Sequence, residues 1–141
     1  MADVSIYRRD FKLLADLRAE DARTLLVKGK QLGAFYLAGY AVECALKACI
    51  AKKTKRFQFP PKPDEARRIY SHRLEELLDA AGLKEQRDKE MQSNPSFAAN
   101  WNTVKAWTEE CRYKTADLNG KDMYNAVAGK DGVLPWIKQR W

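Results

Sequence analysis

At 141 residues the chain is sized for one domain with a real core. Hydrophobic residues at 45% and charged residues at 32% exclude a disordered chain. The three cysteines are odd in number and lack metal-ligand spacing, which excludes a disulfide scaffold or a zinc module. The net charge of +7 instead directs attention to acidic partners.

The start, MADVSIYRRDFK, lacks the apolar segment of a secretory leader, so a cytoplasmic chain is expected, with residues 1–9 as a flexible lead. Residues 10 to 28 read as the first helix, capped by Asp10 and stopped by Gly29. Phe11, Leu14, Leu17, Ala22, Leu25 and Leu26 form its apolar face. The next helix follows at once and should pack antiparallel to the first. Its run from Leu32 to Ala51 is apolar almost all round, yet Gly39, Glu43 and Lys47 make one narrow stripe. Those charges argue against a membrane span and for a central buried helix. A buried carboxylate needs a partner, so Glu43 should meet His72 or Arg112 from elsewhere, with Lys47 the local competitor. Glu43 and Lys47 are thus the expected polar core.

Between Lys52 and Arg73 stand eight basic residues against Asp64 and Glu65, so this segment carries +6 of the +7. Residues 53–66 read as a basic, proline-rich loop around Pro60, Pro61 and Pro63. With Phe57, Phe59 and Tyr70 interleaved, it suits a polyanion such as RNA, or an acidic protein. Asp64 or Ser71 is placed to cap a third helix bearing Leu74, Leu77, Leu78 and Ala81 and ending at Gly82. Residues 84 to 99 are polar, with a break at Asn94-Pro95-Ser96. A fourth helix from Asn100 turns Trp101, Val104, Trp107 or Thr108, and Cys111 inward. A fifth from Lys121 carries Met123, Tyr124 and Val127. Asp131 is a candidate cap for a last piece, Val133 to Arg140, with Pro135 in its first turn. Alternating β-branched stretches are absent. The expectation is an all-α, antiparallel up-down bundle of four to six helices in a single domain, residues 1–141.

The phrases FYLAGYAVECALKACIA, YSHRLEELLDAAGL, WNTVKAWTEECRY and GVLPWIKQRW, in that order, resemble the HEPN (higher eukaryotes and prokaryotes nucleotide-binding) family. The likeness runs from about Asp10 to the C-terminus and is strongest over Gly39 to Lys47 and His72 to Leu78. It implies a small helical bundle that dimerises and binds nucleotide or RNA. Several small relatives accompany a nucleotidyltransferase-like partner in toxin–antitoxin pairs. Neither a membrane contact nor a cofactor is implied, and no metal-ligand cluster is visible.

Ribonuclease members carry an arginine, a polar residue and, a few positions on, a histidine. The arginine steadies the charge on the phosphorane and the histidine moves a proton. Arg112 matches the arginine, but Tyr113 replaces the small polar residue and no histidine follows. His72 is the sole histidine, with Arg67 upstream in the basic segment. His72, Arg67 and Arg112 are therefore the catalytic candidates. Lys55, Arg56, Arg67, Arg68, Arg73 and Tyr113 are the candidates for nucleotide or RNA contact. The incomplete motif favours a catalytically degenerate binding domain. The alternatives are a metal-independent endoribonuclease toxin and a protein-interaction module. A bland reading of His72 puts it in a helix's first turn with a local hydrogen bond.

Overall fold

A computed structural model describes residues 7–57 and 69–141, with backbone only for 54–57. Every regular element among the described residues is helical. In chain order they are α1 (Arg8–Val27), α2 (Gln31–Phe57), α3 (Leu74–Ala80), α4 (Lys84–Ser93), α5 (Pro95–Val104), a 3₁₀ turn (Glu109–Tyr113), α6 (Gly120–Ala128) and α7 (Val133–Lys138).

α2 is the axis of the fold. Its 27 residues span ~40 Å at 1.5 Å per residue. α1, α3, α6, α7 and the 3₁₀ turn all pack on it, while α5 packs on α6 and α7 and carries α4 on its outer side. Ala38, Ala41, Val42, Ala45, Leu46 and Ala48 are fully buried along it. Each large apolar side chain so buried contributes roughly 1.5–3 kcal/mol, enough to hold the helix inside despite one enclosed carboxylate. By length and composition Gln31–Lys53 would suffice to cross a membrane, but 67% of its apolar window is covered by the other helices.

α1 starts earlier than its sequence suggests. Tyr7 is the N-cap, and Asp10, at the third helical position, accepts from the Tyr7 backbone N–H at 2.8 Å. Arg8 and Arg9 are therefore helical. Ala15 and Ala22 are the buried contacts of α1, and Leu17 lies exposed. Small side chains at those two points let α1 lie close along α2. Gly29, at φ 73°, takes the left-handed turn between the two helices, and Gly82, at φ 75°, does the same after α3.

α2 continues to Phe57, so residues 53–57 are helix rather than the start of a loop. The prolines at 60, 61 and 63 and Asp64 lie outside the described residues. α3 has Arg73 as its N-cap; Ser71 instead accepts from the Arg73 N–H at 3.0 Å and donates to Glu76 at 2.6 Å.

The polar stretch after Gly82 is a helix, α4. Lys84, Glu85, Gln86, Arg87, Lys89 and Glu90 are all good helix formers. Asn94 then accepts from the Phe97 N–H at 3.1 Å and Pro95 takes the first position of α5. Asn94-Pro95-Ser96 is thus a helix start, five residues before the expected one. α5 stops at Val104, and Cys111 is turned inward by the separate 3₁₀ turn.

Asn119 caps α6 through the Asp122 N–H at 3.0 Å. Asp131 does not cap α7. Gly132 does, because Asp131 sits at φ 54° and its backbone carbonyl accepts from Asn100 at 2.9 Å. The last two helical segments are separate helices.

Candidate functional site

The apolar surroundings of α2 make its polar stripe conspicuous. Tyr36, Tyr40, Glu43 and Lys47 are spaced by four, three and four residues, so they share one face. Glu43 lies at the centre with only 2% of its side chain exposed. Its Oε1 lies 2.8 Å from His72 Nδ1, and its Oε2 lies 3.4 Å from Lys47 Nζ. Both oxygens of the enclosed carboxylate are therefore engaged, which is the condition for burying it.

Of the partners expected for Glu43, His72 and Lys47 are present and Arg112 is not. His72 lies in the extended connection before α3, not in a helical turn, and its bond spans 29 residues rather than being local. A carboxylate only accepts, so the ring nitrogen facing it carries the hydrogen. About half of the His72 side chain is exposed. Its neighbours Tyr70 and Arg73 are exposed as well.

Arg112 occupies the other end of the stripe. Contacts with the Tyr113 and then the Tyr36 hydroxyl hold its guanidinium above the ordinary arginine value, and it stacks over the Tyr113 ring at 5.0 Å. Tyr36 in turn lies 5.9 Å from the Tyr40 ring and 6.1 Å from Trp107, nearly parallel to the latter. Burial, with Cys44 and Glu43 nearby, pushes the Tyr40 hydroxyl up.

The 3₁₀ turn that presents Arg112 is held by Trp107. Trp107 is buried and its Nε1 donates to the Tyr36 carbonyl at 3.2 Å. A Cβ on Gly39 would lie 2.2 Å from the indole, so only glycine admits the ring at that point. Gly39 thus belongs to the packing of the site rather than to its polar stripe.

The stripe and its flanks form two similar ends. At one, His72 meets Glu43, with Tyr70 and Arg73 as its exposed chain neighbours; at the other, Arg112 lies over Tyr113 on the turn that Trp107 ties to Tyr36. Tyr70 at 81% and Tyr113 at 73% exposure are the two most exposed tyrosines among the described residues, and each lies within three residues of a cation. Of the remaining candidates, Lys55 and Arg56 lie on the α2 backbone with side chains outside the described residues, and Arg67 and Arg68 fall outside them altogether. Tyr36 and Tyr40 were not among the sequence candidates, although their spacing from Glu43 and Lys47 carries the signal.

Comparison with family models, with curated proteins and with solved structures gives no match to this chain.

Proposed function

We propose that this chain is a HEPN-like helical domain, catalytically degenerate, that binds nucleotide or single-stranded RNA through the basic, tyrosine-bearing face along α2. The observation that carries this reading is the separation of the two would-be catalytic groups. The turn that carries Arg112 is tied to Tyr36 through Trp107, and His72 is bonded to Glu43, seven residues further along the helix, a distance of roughly 10 Å along the axis. Anchors that far apart argue against one phosphorane held by both. Two exposed tyrosines, each beside a cation, suit instead a strand whose bases stack while its phosphates meet Arg73 and Arg112.

The up-down arrangement and a cytoplasmic setting, expected from the helix pattern and the N-terminal residues, and a homodimer and pairing with a nucleotidyltransferase-like partner in a toxin–antitoxin system, which come from the family resemblance, belong to the same proposal. One observation favours the endoribonuclease alternative: a histidine tied to a buried carboxylate is how a general base is often oriented.

Titration of a short oligouridylate tests the reading. Affinity should fall about tenfold or more between ~50 and ~200 mM salt, as it does when several phosphates are neutralised. Arg73→Ala and Tyr113→Ala should each weaken binding, with the oligonucleotide recovered intact. Metal-independent cleavage would establish the nuclease instead. An absence of binding, alongside salt-insensitive capture of a protein partner, would establish the interaction module.

A further inference from the structure

We infer that Glu43 is a positioning residue: it locks His72 as the Nδ1–H tautomer, so that the bare Nε2 is presented to the ligand as a hydrogen-bond acceptor. This rests on the reading that residues 70–73 contact a ligand.

Three observations carry it. Glu43 is held from both sides, by Lys47 on Oε2 and by the imidazole on Oε1, so the carboxylate has a defined place. The 2.8 Å bond is made by Nδ1, which leaves Nε2 on the ring edge away from Glu43. His72 is half exposed, and among the described residues its Nε2 has no partner.

An acceptor set among cations has a chemical consequence. Phosphate oxygens are acceptors too, so the bare Nε2 of the Nδ1–H tautomer turns them away, toward Arg73. The group that meets Nε2 must be a donor, a hydroxyl or an N–H of the ligand. A tautomer left free would present Nε2–H and invert that choice.

Because His72 is the sole histidine, its ring ¹⁵N signals are unambiguous in the full chain. At a pH where the imidazole is neutral, the wild type should show a protonated Nδ1 and a bare Nε2. Glu43→Gln offers the ring either an oxygen or an N–H, so the population should move toward Nε2–H. Lys47→Met, which removes only the far partner of the carboxylate, should leave the tautomer in place. In oligouridylate binding, Glu43→Gln and His72→Ala should weaken affinity by the same factor, roughly fivefold, the worth of one hydrogen bond. The double variant should lose no more than either alone.

A wild-type ring in the Nε2–H form would overturn the inference, and that spectrum decides even where Glu43→Gln fails to fold. So would a tautomer unchanged in Glu43→Gln. Binding lost in Arg73→Ala but untouched in His72→Ala and Glu43→Gln would overturn the positioning role while leaving the site. Failure of the wild type to bind would instead overturn the proposed function, with the tautomer still reporting the lock.

Discussion

Two charged clusters are drawn into this bundle, and they are mirror images in what they hide. On α2 the acid is enclosed, with Glu43 2% exposed, while His72 is 47% exposed. Between α3, α4 and α5 the base is enclosed. Arg87 is 7% exposed and reaches Glu75 and Asp88, both at 2.7 Å and each about half exposed. Burial alone would lower the Arg87 guanidinium, and the hydrogen bonds to Glu75 and Asp88 outweigh it and hold it above its ordinary value. Trp101 completes that cluster, lying 5.0 Å beneath the guanidinium and donating to Glu75 at 3.1 Å. The difference lies in escape. A glutamate in the middle of α2 cannot reach water, whereas a long arginine at the edge of α4 has a stem that lets its head move outward.

Stripping each cluster of its partners should separate the two cases. Lys47→Ala with His72→Ala leaves Glu43 inside with neither oxygen engaged, and the expected loss is about 3–5 kcal/mol in urea unfolding. Adding Glu43→Leu should recover most of it, since an apolar isostere removes the stranded charge. A loss below about 1 kcal/mol, the size of an exposed pair, would mean that Glu43 reaches solvent and the contrast is false.

The mirror experiment, Glu75→Ala with Asp88→Ala, strands Arg87. The guanidinium keeps the Trp101 face and a route to water, so about 1–2 kcal/mol should be lost, the cost of unmade hydrogen bonds rather than of a buried ion. A loss equal to that of the first double variant would show that Arg87 is trapped as firmly as Glu43.

The same contrast explains what could be read from residues alone. Glu43 stands in a twenty-residue run whose only other charge is Lys47, so its burial and its need for a partner follow from periodicity, with His72 one of two remote candidates. Arg87 stands among Lys84, Glu85, Gln86, Asp88 and Lys89. Nothing local distinguishes it, because Trp101, from another helix, covers it. For that reason α4 as a whole escapes a hydrophobic pattern, its helix formers notwithstanding. The break after Val104 is hidden for a related reason. Trp101, Val104 and Trp107 keep helical spacing, but Trp107 is drawn out of register by the gap that Gly39 leaves on α2. The two ends of the stripe were separately visible as His72 and Arg112. Their distance along α2 was not, since it depends on which tyrosine each end meets.

The smallest effect tests the charge on Glu43 without removing a partner. Cys44 is its chain neighbour, and its thiol is pushed up to about 12, first by burial and next by Glu43. Cys49 is pushed up to about 11 by burial, and Glu43 plays no part there. Glu43→Gln should therefore lower the Cys44 thiol while leaving Cys49 as an internal control, measured by site-resolved alkylation against pH under native conditions. The sign for stability follows from the same shifts. An unfolded thiol ionises near 9.0, below the folded values, so the stabilisation is complete below pH 9 and fades as pH rises toward 11 and 12. In Glu43→Gln the Cys44 share of that fading should still begin near pH 9 but end at lower pH, so that less stability is lost in all. If Cys44 and Cys49 shift together, the change is general loosening. If Cys44 does not move, Glu43 carries no charge beside it, and the contrast between an enclosed acid and an enclosed base fails at its first term.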